Sequence, residues 1–397
     1  MQKVTVQEAA SSPFVHLDLV RGLAALAVLF GHMRSFVFVS FYQLTSPNLF
    51  DIILWTGTGL ARQAVIVFFV LSGFFITRSI YQDHHRAGFS WPVYLIKRLS
   101  RLWVVLIPCL VLTVICDRLG MFFSPNFYSG HLWSMYSSGP AIETGGTILN
   151  AKTFFGNLLF LQDILVSTLG SNGPLWSLAY EFWYYILFPL LFVTYLALAK
   201  RSWSVASING AIFLAICIFV GKYIVLLGVV WLFGAFCYLA YHHKVLGILK
   251  SRYALAVALI LFLISLAISK GNHGSDYVKD CVLGIGASLL VLVLSVTESP
   301  SVLYSKAAAV VAGCSYTVYL VHFPFLALLT NIALANAKFG NSIAGYSVFI
   351  GTGIVTLCYC CLIYWLFERN TATVRRYFLG SYKRLKEGPV RAHKSCG

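Results

Sequence analysis

Runs of about twenty apolar residues recur along the whole 397-residue chain, separated by short polar stretches. At ~1.5 Å rise per residue such a run spans the ~30 Å of a bilayer's hydrocarbon core. The runs predict ten helices, at 17–39, 61–80, 99–118, 175–199, 205–221, 223–241, 253–270, 279–297, 307–330 and 345–368. The fifth is the shortest and is interrupted by Asn209 and Gly210. The interval 119–174 holds one apolar piece, Phe154–Leu161, which is too short to cross and reads as a re-entrant or interfacial segment. No stretch is left for a separate soluble domain. The expected fold is all-α: a polytopic membrane protein with about ten transmembrane helices, a single domain over 1–368 and a basic tail over 369–397.

Composition agrees with that pattern. Hydrophobic residues make up 59% of the chain and charged ones 11%, against roughly 25% charged in an ordinary soluble domain. Mean hydropathy is +0.81. A soluble globular enzyme, a disordered tail and a secreted disulfide scaffold are excluded. The charge is lopsided, with 29 Lys+Arg against 13 Asp+Glu and a net +16. In a membrane protein such an excess records topology before it suggests nucleic acid, because Lys and Arg stay in cytoplasmic loops. With ten spans and the N-terminus inside, twenty basic residues fall on the inner side and eight on the outer. Both termini are therefore expected in the cytoplasm. The tail from Arg369 is basic, and anionic headgroups are its expected neighbour. Met1–Val15 lacks a charged-then-apolar start and no cleavage site follows, so the first span is expected to remain as an anchor. The ten cysteines lie mostly in apolar runs and form no pair of zinc spacing, so no metal is expected. There is no Walker, GxGxxG, GxSxG or HExxH motif.

Chemistry enters where charge interrupts the apolar runs, since an ionisable side chain inside a span marks a functional site by default. The first span begins His16-Leu-Asp18-Leu-Val-Arg21 and carries His32. Eleven residues separate Arg21 from His32. At ~100° per residue that returns to within ~20°, with about 16 Å between the two Cα atoms along the axis. One helix face thus bears a guanidinium near the cytoplasmic end and an imidazole deep in the membrane. The plain alternative is that Arg21 snorkels to headgroups and His32 bonds a carbonyl. Arg98 and Arg101, in Lys97-Arg98-Leu-Ser-Arg101, share a face at i,i+3. They are either ordinary flanking charge or a fork for phosphate. Trp176-Ser177-Leu-Ala-Tyr180-Glu181 opens the fourth span after Pro174 and sets a carboxylate near the outer boundary, for catalysis or for pairing with a cation. His322 precedes Pro324, which frees a backbone carbonyl. A structural part in that broken turn and a catalytic part are both open. Glu368-Arg369 reads as an interfacial pair. In the outer loop, Phe122, Phe123, Phe127, Tyr128, His131, Trp133 and Tyr136 suit a sugar platform or a membrane interface.

Five segments, in order, resemble the acyltransferase 3 family of integral-membrane acyltransferases, many of which decorate bacterial surface glycans. They are Leu17-Asp18-Leu-Val-Arg21-Gly-Leu-Ala-Ala with His32; Phe68-Phe69-Val-Leu-Ser72-Gly73-Phe74; Lys97-Arg98-Leu-Ser-Arg101; Trp176-Ser177-Leu-Ala-Tyr180-Glu181-Phe; and Ser315-Tyr316-Thr-Val-Tyr319-Leu-Val-His322. Asn157-Leu-Leu-Phe160-Leu-Gln162 is similar too. The resemblance implies an O-acyltransferase of the bacterial inner membrane, with about ten core helices. It implies acyl-CoA as cytoplasmic donor, with acetyl the family's common acyl group. The acceptor it implies is a hydroxyl of a polysaccharide or lipid-linked glycan, presented from the far side. The sequence departs in two places. Some members carry a second acidic residue after the Trp-Ser-Leu motif, where Phe182 stands here. Some carry a fused esterase-like domain; here about 29 residues follow the last span, so another protein or a lipid-linked substrate is expected to deliver the acceptor.

Under that resemblance Arg21, Arg98 and Arg101 hold the donor's phosphates, and the Arg21–His32 spacing compares with the reach of an extended pantetheine arm. His32 is expected to act as general base on the acceptor hydroxyl or to take the acyl group itself as nucleophile. Glu181 is expected to orient the acceptor or His32, and Tyr316 or Ser72 to steady the oxyanion. Asp18, Trp176 and His322 are expected to contact substrate or support those that do. A secondary transporter is a rival reading, since ten spans, broken helices and buried charge suit it too. A glycan flippase-type protein is another, supported by the basic tail. No clear repeat relates the two halves, and the Arg/His ladder of the first span has no counterpart in the sixth.

Overall fold

The structure is a computed structural model that describes residues 13–387 except 137–138, 142, 144, 244–246, 299–300 and 336. Lys3, Lys244 and the tail beyond 387, counted above among the inner cations, lie outside the described residues. The chain forms α1 (Val15–Val37), α2 (Leu49–Thr58), α3 (Ala61–Ala87), α4 (Trp91–Phe123), α5 (Ala151–Leu158), α6 (Trp176–Ala199) and α7 (Trp203–His242). It continues as α8 (Arg252–Lys270), α9 (Asp276–Val296), α10 (Val302–Gly313), α11 (Ser315–Leu334), α12 (Ile343–Leu366) and α13 (Thr371–Glu387). Among the described residues there are isolated bridges, Phe38–Phe339 and Gln162–Val166, but no strand.

Nine helical stretches among the described residues are long and apolar enough to cross a membrane. One of them, α7, has 40 residues, about 60 Å and twice a hydrocarbon layer. It is broken at Gly221, where φ is 81° and ψ 170°, a conformation open to a residue without Cβ. The two halves coincide with the predicted fifth and sixth spans. The all-α polytopic fold expected from the apolar runs is therefore the one the chain adopts. The predicted span 307–330 is divided, however. Helix α10 stops at Gly313, Cys314 turns the chain, and α11 starts at Ser315. The run of apolar residues passes through that turn unbroken, so run length hides it.

The start of α11 is capped from a distance. Thr317 donates its backbone N–H (3.0 Å) and its hydroxyl (2.5 Å) to Glu368 Oε2. The carboxylate thereby satisfies one of the amides a helix start leaves over and faces the positive end of its dipole. Glu368 is thus not half of an interfacial pair with Arg369, whose guanidinium lies 3.9 Å from the Trp365 ring centroid instead. Glu368 also acts electrostatically on Arg21, so the end of α12 and the start of α1 share one end of the bundle.

Helix α1 is packed by α3, α10, α11 and α12, and α7 by α3, α6 and α9. Where α3 meets α7 the backbones touch. A Cβ on Gly73 would lie 2.0 Å from the Trp231 carbonyl oxygen, and one on Gly234 1.8 Å from that of Val70. Small residues permit this approach between membrane helices, and here it brings the Trp231 ring onto Ser72.

The interval between α4 and α6, expected to be re-entrant or interfacial at Phe154–Leu161, buries several polar side chains among its described residues, Asn157 and Gln162 included. Helix α5 leaves Phe155 58% exposed, whereas Leu169, Ser171 and Asn172 are buried. Asp117 of α4 accepts from both the backbone N–H and the hydroxyl of Ser171, each at 2.6 Å. The outer-loop aromatics divide likewise. Phe127, Tyr128 and Tyr136 are buried, the first and last against Phe36, so they belong to the core and not to an open platform. Phe122 and Phe123 are exposed. The side chain of Trp133 lies outside the described residues.

Candidate functional site

Five helices deliver cations, hydroxyls and a carboxylate to one cavity. Arg21 of α1, Ser72 of α3, Arg98 and Arg101 of α4, and Glu181 and Tyr185 of α6 line one partly open space. Tyr316 and Tyr319 of α11 close it, and Val65, Phe68, Phe69 and Phe75 of α3 give it an apolar wall. Arg21 is held by Asp18, one turn earlier, at 3.0 Å. Arg98 donates to the Ser79 hydroxyl and lies over the rings of Tyr94 (5.3 Å) and Tyr185 (5.9 Å). Arg101 is exposed to the cavity and makes no hydrogen bond or ion pair with a described residue. It feels the charge of Glu181 and Glu368 only across a gap. A guanidinium fork with its donors unspent, set among apolar groups, is an anion receptor.

Glu181 is fixed by neutral donors. Tyr185, one turn on, donates its hydroxyl to Glu181 Oε1, and Ser72 donates to the same oxygen at 3.3 Å. Ser72 in turn accepts from the Trp231 indole N–H at 3.2 Å. The Tyr316 hydroxyl donates to the Leu102 carbonyl at 3.1 Å. The hydroxyl protons of Ser72 and Tyr316 are thus committed, and the oxyanion role expected of them requires exchanging those bonds.

The histidines form a pair beside this cavity. The rings of His32 and His322 are 5.4 Å apart between centroids, with Phe323 edge-on to His32 at 4.9 Å. Tyr319, which lines the cavity, has its ring 6.4 Å from that of His322. The Tyr319 hydroxyl is tied to Ser177 (2.5 Å) and donates to the Pro174 carbonyl (3.0 Å). His322 Nδ1 lies 2.7 Å from the Val318 carbonyl oxygen. A carbonyl only accepts, so Nδ1 carries the proton and Nε2 is left as a lone pair. That Nε2 is buried and has no partner.

His322 is not spent on the turn broken by Pro324. The carbonyl that Pro324 leaves without a donor is that of Leu320, four residues earlier. It accepts from Asn172 Nδ2 at 2.9 Å and from the Cys109 thiol at 3.1 Å. The inward-folded interval supplies that partner and leaves the imidazole free.

The structure therefore brings Arg21, Arg98, Arg101, Ser72, Glu181 and Tyr316 into one cavity, with Asp18 behind Arg21. His32 and His322 meet each other one side chain away. Trp176 packs on Phe69 and Tyr180, at 6.1 and 5.0 Å. Glu181 lies with the cations and makes no hydrogen bond to His32. Sequence reading missed Tyr185, Trp231, Tyr319, Asn172 and Glu368. Glu368 had a signal, a carboxylate at the end of an apolar run, and Tyr319 stands in the Ser315–His322 segment that carries the resemblance; the others are ordinary residues of apolar helices and loops until the fold assembles them. A family model for an acyltransferase domain, that of the acyltransferase 3 family, matches residues 14–365. Neither the comparison with curated proteins nor that with solved structures returned a match.

Proposed function

From the premise that the chain belongs to the acyltransferase 3 family, we propose that this multi-pass membrane acyltransferase takes its acyl group from acyl-CoA at the Arg21–Arg98–Arg101 cavity and passes it to a hydroxyl of a surface glycan or lipid-linked saccharide. Acetyl is the acyl group of this reading and the bacterial inner membrane its location. The observation that carries it is Arg101, a guanidinium facing an apolar-walled cavity with its donors free, beside two further guanidiniums. Phosphates of the donor head meet those cations, with bidentate hydrogen bonds where the fork is open. The pantetheine arm follows the wall of Phe68, Phe69 and Phe75 towards Tyr319, and the thioester reaches the histidine pair.

There the acceptor hydroxyl gives its proton to His32, assisted by the neighbouring lone pair of His322. The oxygen attacks the thioester carbonyl, the C–S bond breaks, and the thiolate takes the proton back. In the alternative route His32 takes the acyl group first: a C–N bond forms as the C–S bond breaks and the thiolate leaves, and the acceptor hydroxyl then attacks, forming the ester as the C–N bond breaks and giving up its proton to the departing thiolate. Asp18 positions Arg21, and the Trp231–Ser72–Glu181–Tyr185 chain positions the cavity wall opposite Arg101. The basic face of α13, with Arg375, Arg376, Lys383 and Arg384, meets anionic headgroups.

The test is steady-state transfer from radiolabelled acetyl-CoA by purified protein. Arg98→Gln with Arg101→Gln should raise the KM for acetyl-CoA by about 10- to 100-fold, the worth of one or two hydrogen bonds to a charged group, with the acceptor KM little changed. Equal loss of both affinities, or absence of any transfer or hydrolysis by the native protein, would overturn the reading.

A further inference from the structure

Arg34 lies thirteen residues beyond Arg21 on α1, about 20 Å along the axis and so towards the opposite end of the bundle. Two lysines from distant segments are held on elements that pack beside this part of α1. Lys338, in the connection between α11 and α12, donates Nζ–H to the Met135 carbonyl at 2.5 Å, and its Nζ lies 4.4 Å from the Tyr136 ring centroid. The Tyr136 carbonyl accepts from Ser35 at 2.7 Å, which fixes this group beside α1. Lys270, the last residue of α8, donates to the Gly59 carbonyl at 2.6 Å, where the α2–α3 joint abuts α1 at Gly31. Arg34 acts electrostatically on both lysines.

No carboxylate among the described residues pairs with any of the three. Three acids of the neighbouring segments are engaged elsewhere. Asp51 accepts from Tyr346 and from Asn341 at 3.0 Å, while Asp276 and Asp280 are paired with Arg62 at 3.7 and 2.8 Å. The Arg34 Nε is buried without a partner. Like charges crowded from three segments without a counter-ion repel one another, and an anion settling among them turns that repulsion into attraction.

We propose that Arg34, Lys270 and Lys338 form an anion site towards the end of the bundle opposite the Arg21 cavity, which holds a phosphoryl or carboxylate group of the acyl acceptor. Naming the acceptor rests on the acyl-transfer reading above; the site itself does not. Arg34 is two residues from His32, ~3 Å along the axis and on a different helix face. The acidic group is thus held at the level of the reacting hydroxyl but to one side of it. An acceptor that is both glycan and acid, such as a sugar phosphate or a uronic-acid chain, has that geometry.

The test is binding, read without acyl transfer. Full-length protein carrying R21Q, R98Q and R101Q, which removes the three guanidiniums of the other cavity, is placed in phosphatidylcholine nanodiscs and titrated with inorganic pyrophosphate at pH 7.5. It should bind, and adding R34Q and K338Q should weaken binding by at least about tenfold, as loss of charge-assisted hydrogen bonds does. K270Q, at an exposed position, should alone weaken it severalfold and answers the case in which the other variant fails to fold. Unchanged affinity in both variants would overturn the site. Repeating the titration with one-fifth phosphatidylglycerol separates the sources of the anion. Pyrophosphate binding that persists supports an acceptor group, and binding abolished by the lipid would overturn the acceptor in favour of a headgroup. Native protein inactive in acyl transfer would bear on the function alone and leave these titrations intact.

Discussion

Asn172→Leu removes the donor that replaces the missing N–H of Pro324 while keeping the branched shape and the number of side-chain heavy atoms. The Leu320 carbonyl would keep only the Cys109 thiol, 3.1 Å away, a weak donor. The Thr113 hydroxyl would also lose its contact with Asn172, now 3.2 Å. A buried acceptor stripped of its partner costs ~1–3 kcal/mol, so a loss of about 2 kcal/mol is expected. Pro324→Ala alone returns an N–H aimed at a carbonyl that is already served, and its effect should be small. In the Asn172→Leu background the same N–H finds the carbonyl unserved and should recover at least ~1 kcal/mol through the restored i→i−4 bond. The assay is equilibrium unfolding of the four proteins in mixed micelles of rising SDS fraction, read by tryptophan fluorescence. Additive effects, with no rescue by Pro324→Ala, would refute the assignment of Asn172 as the proline's substitute donor.

Two more outcomes follow from the site. His32→Ala should lower kcat by about 10²- to 10⁴-fold, the usual worth of a general base, in protein that still folds; His322→Asn, which keeps a donor for the Val318 carbonyl but loses the ring lone pair, should lower kcat less and shift its pH profile. Full activity in either variant refutes the role given to that residue. Burial, reinforced by Arg34, holds the Lys338 ammonium down at about 8, whereas Tyr136 beneath it is pushed up to about 12 and stays neutral. Lys338 therefore loses its charge as pH rises through about 8, and sulfate, which does not titrate there, should bind the Arg34–Lys338 site about tenfold more weakly at pH 9 than at pH 7. A flat profile, or one that survives K338Q, would show that Lys338 does not face the anion.

The helices and their number could be read from the sequence because a 20-residue apolar run has one physical use. The break at Gly221 was visible as two adjacent runs, and the Arg21–His32 spacing as a helical period. Depth could not be read. Run length begins the third span at 99, but α4 begins at Trp91, so Arg101 sits ~15 Å inside that helix and not at its edge. Glu181 is near the start of α6, as expected, yet Leu169, Ser171 and Asn172 are buried beyond it. The outer boundary implied by Pro174 and Trp176 is roofed by the chain's own polar interval, and no hydropathy window reports a loop that folds back. Two charges assigned to opposite faces of a membrane thus line one cavity.

Their meeting also explains how the cavity keeps guanidiniums ready for phosphate. Three cations, Arg21, Arg98 and Arg101, face three carboxylates, Asp18, Glu181 and Glu368, so the cluster is close to neutral and tolerable among apolar helices. Formal charge and hydrogen-bonding capacity are distributed differently, however. Glu181 takes its protons from Ser72 and Tyr185, and Glu368 from Thr317. Only Asp18 forms an ion pair with a guanidinium of the cluster. The carboxylates lower the electrostatic cost of Arg101 from a distance without occupying its N–H groups. An arriving phosphate therefore breaks no ion pair at Arg101. Had Glu181 paired directly with Arg101, the donor would first have to displace it and leave a buried carboxylate unpaired, at a cost of several kcal/mol. The neutral donors Ser72, Tyr185 and Thr317 are what hold those carboxylates back from the cations, although none of the three carries charge.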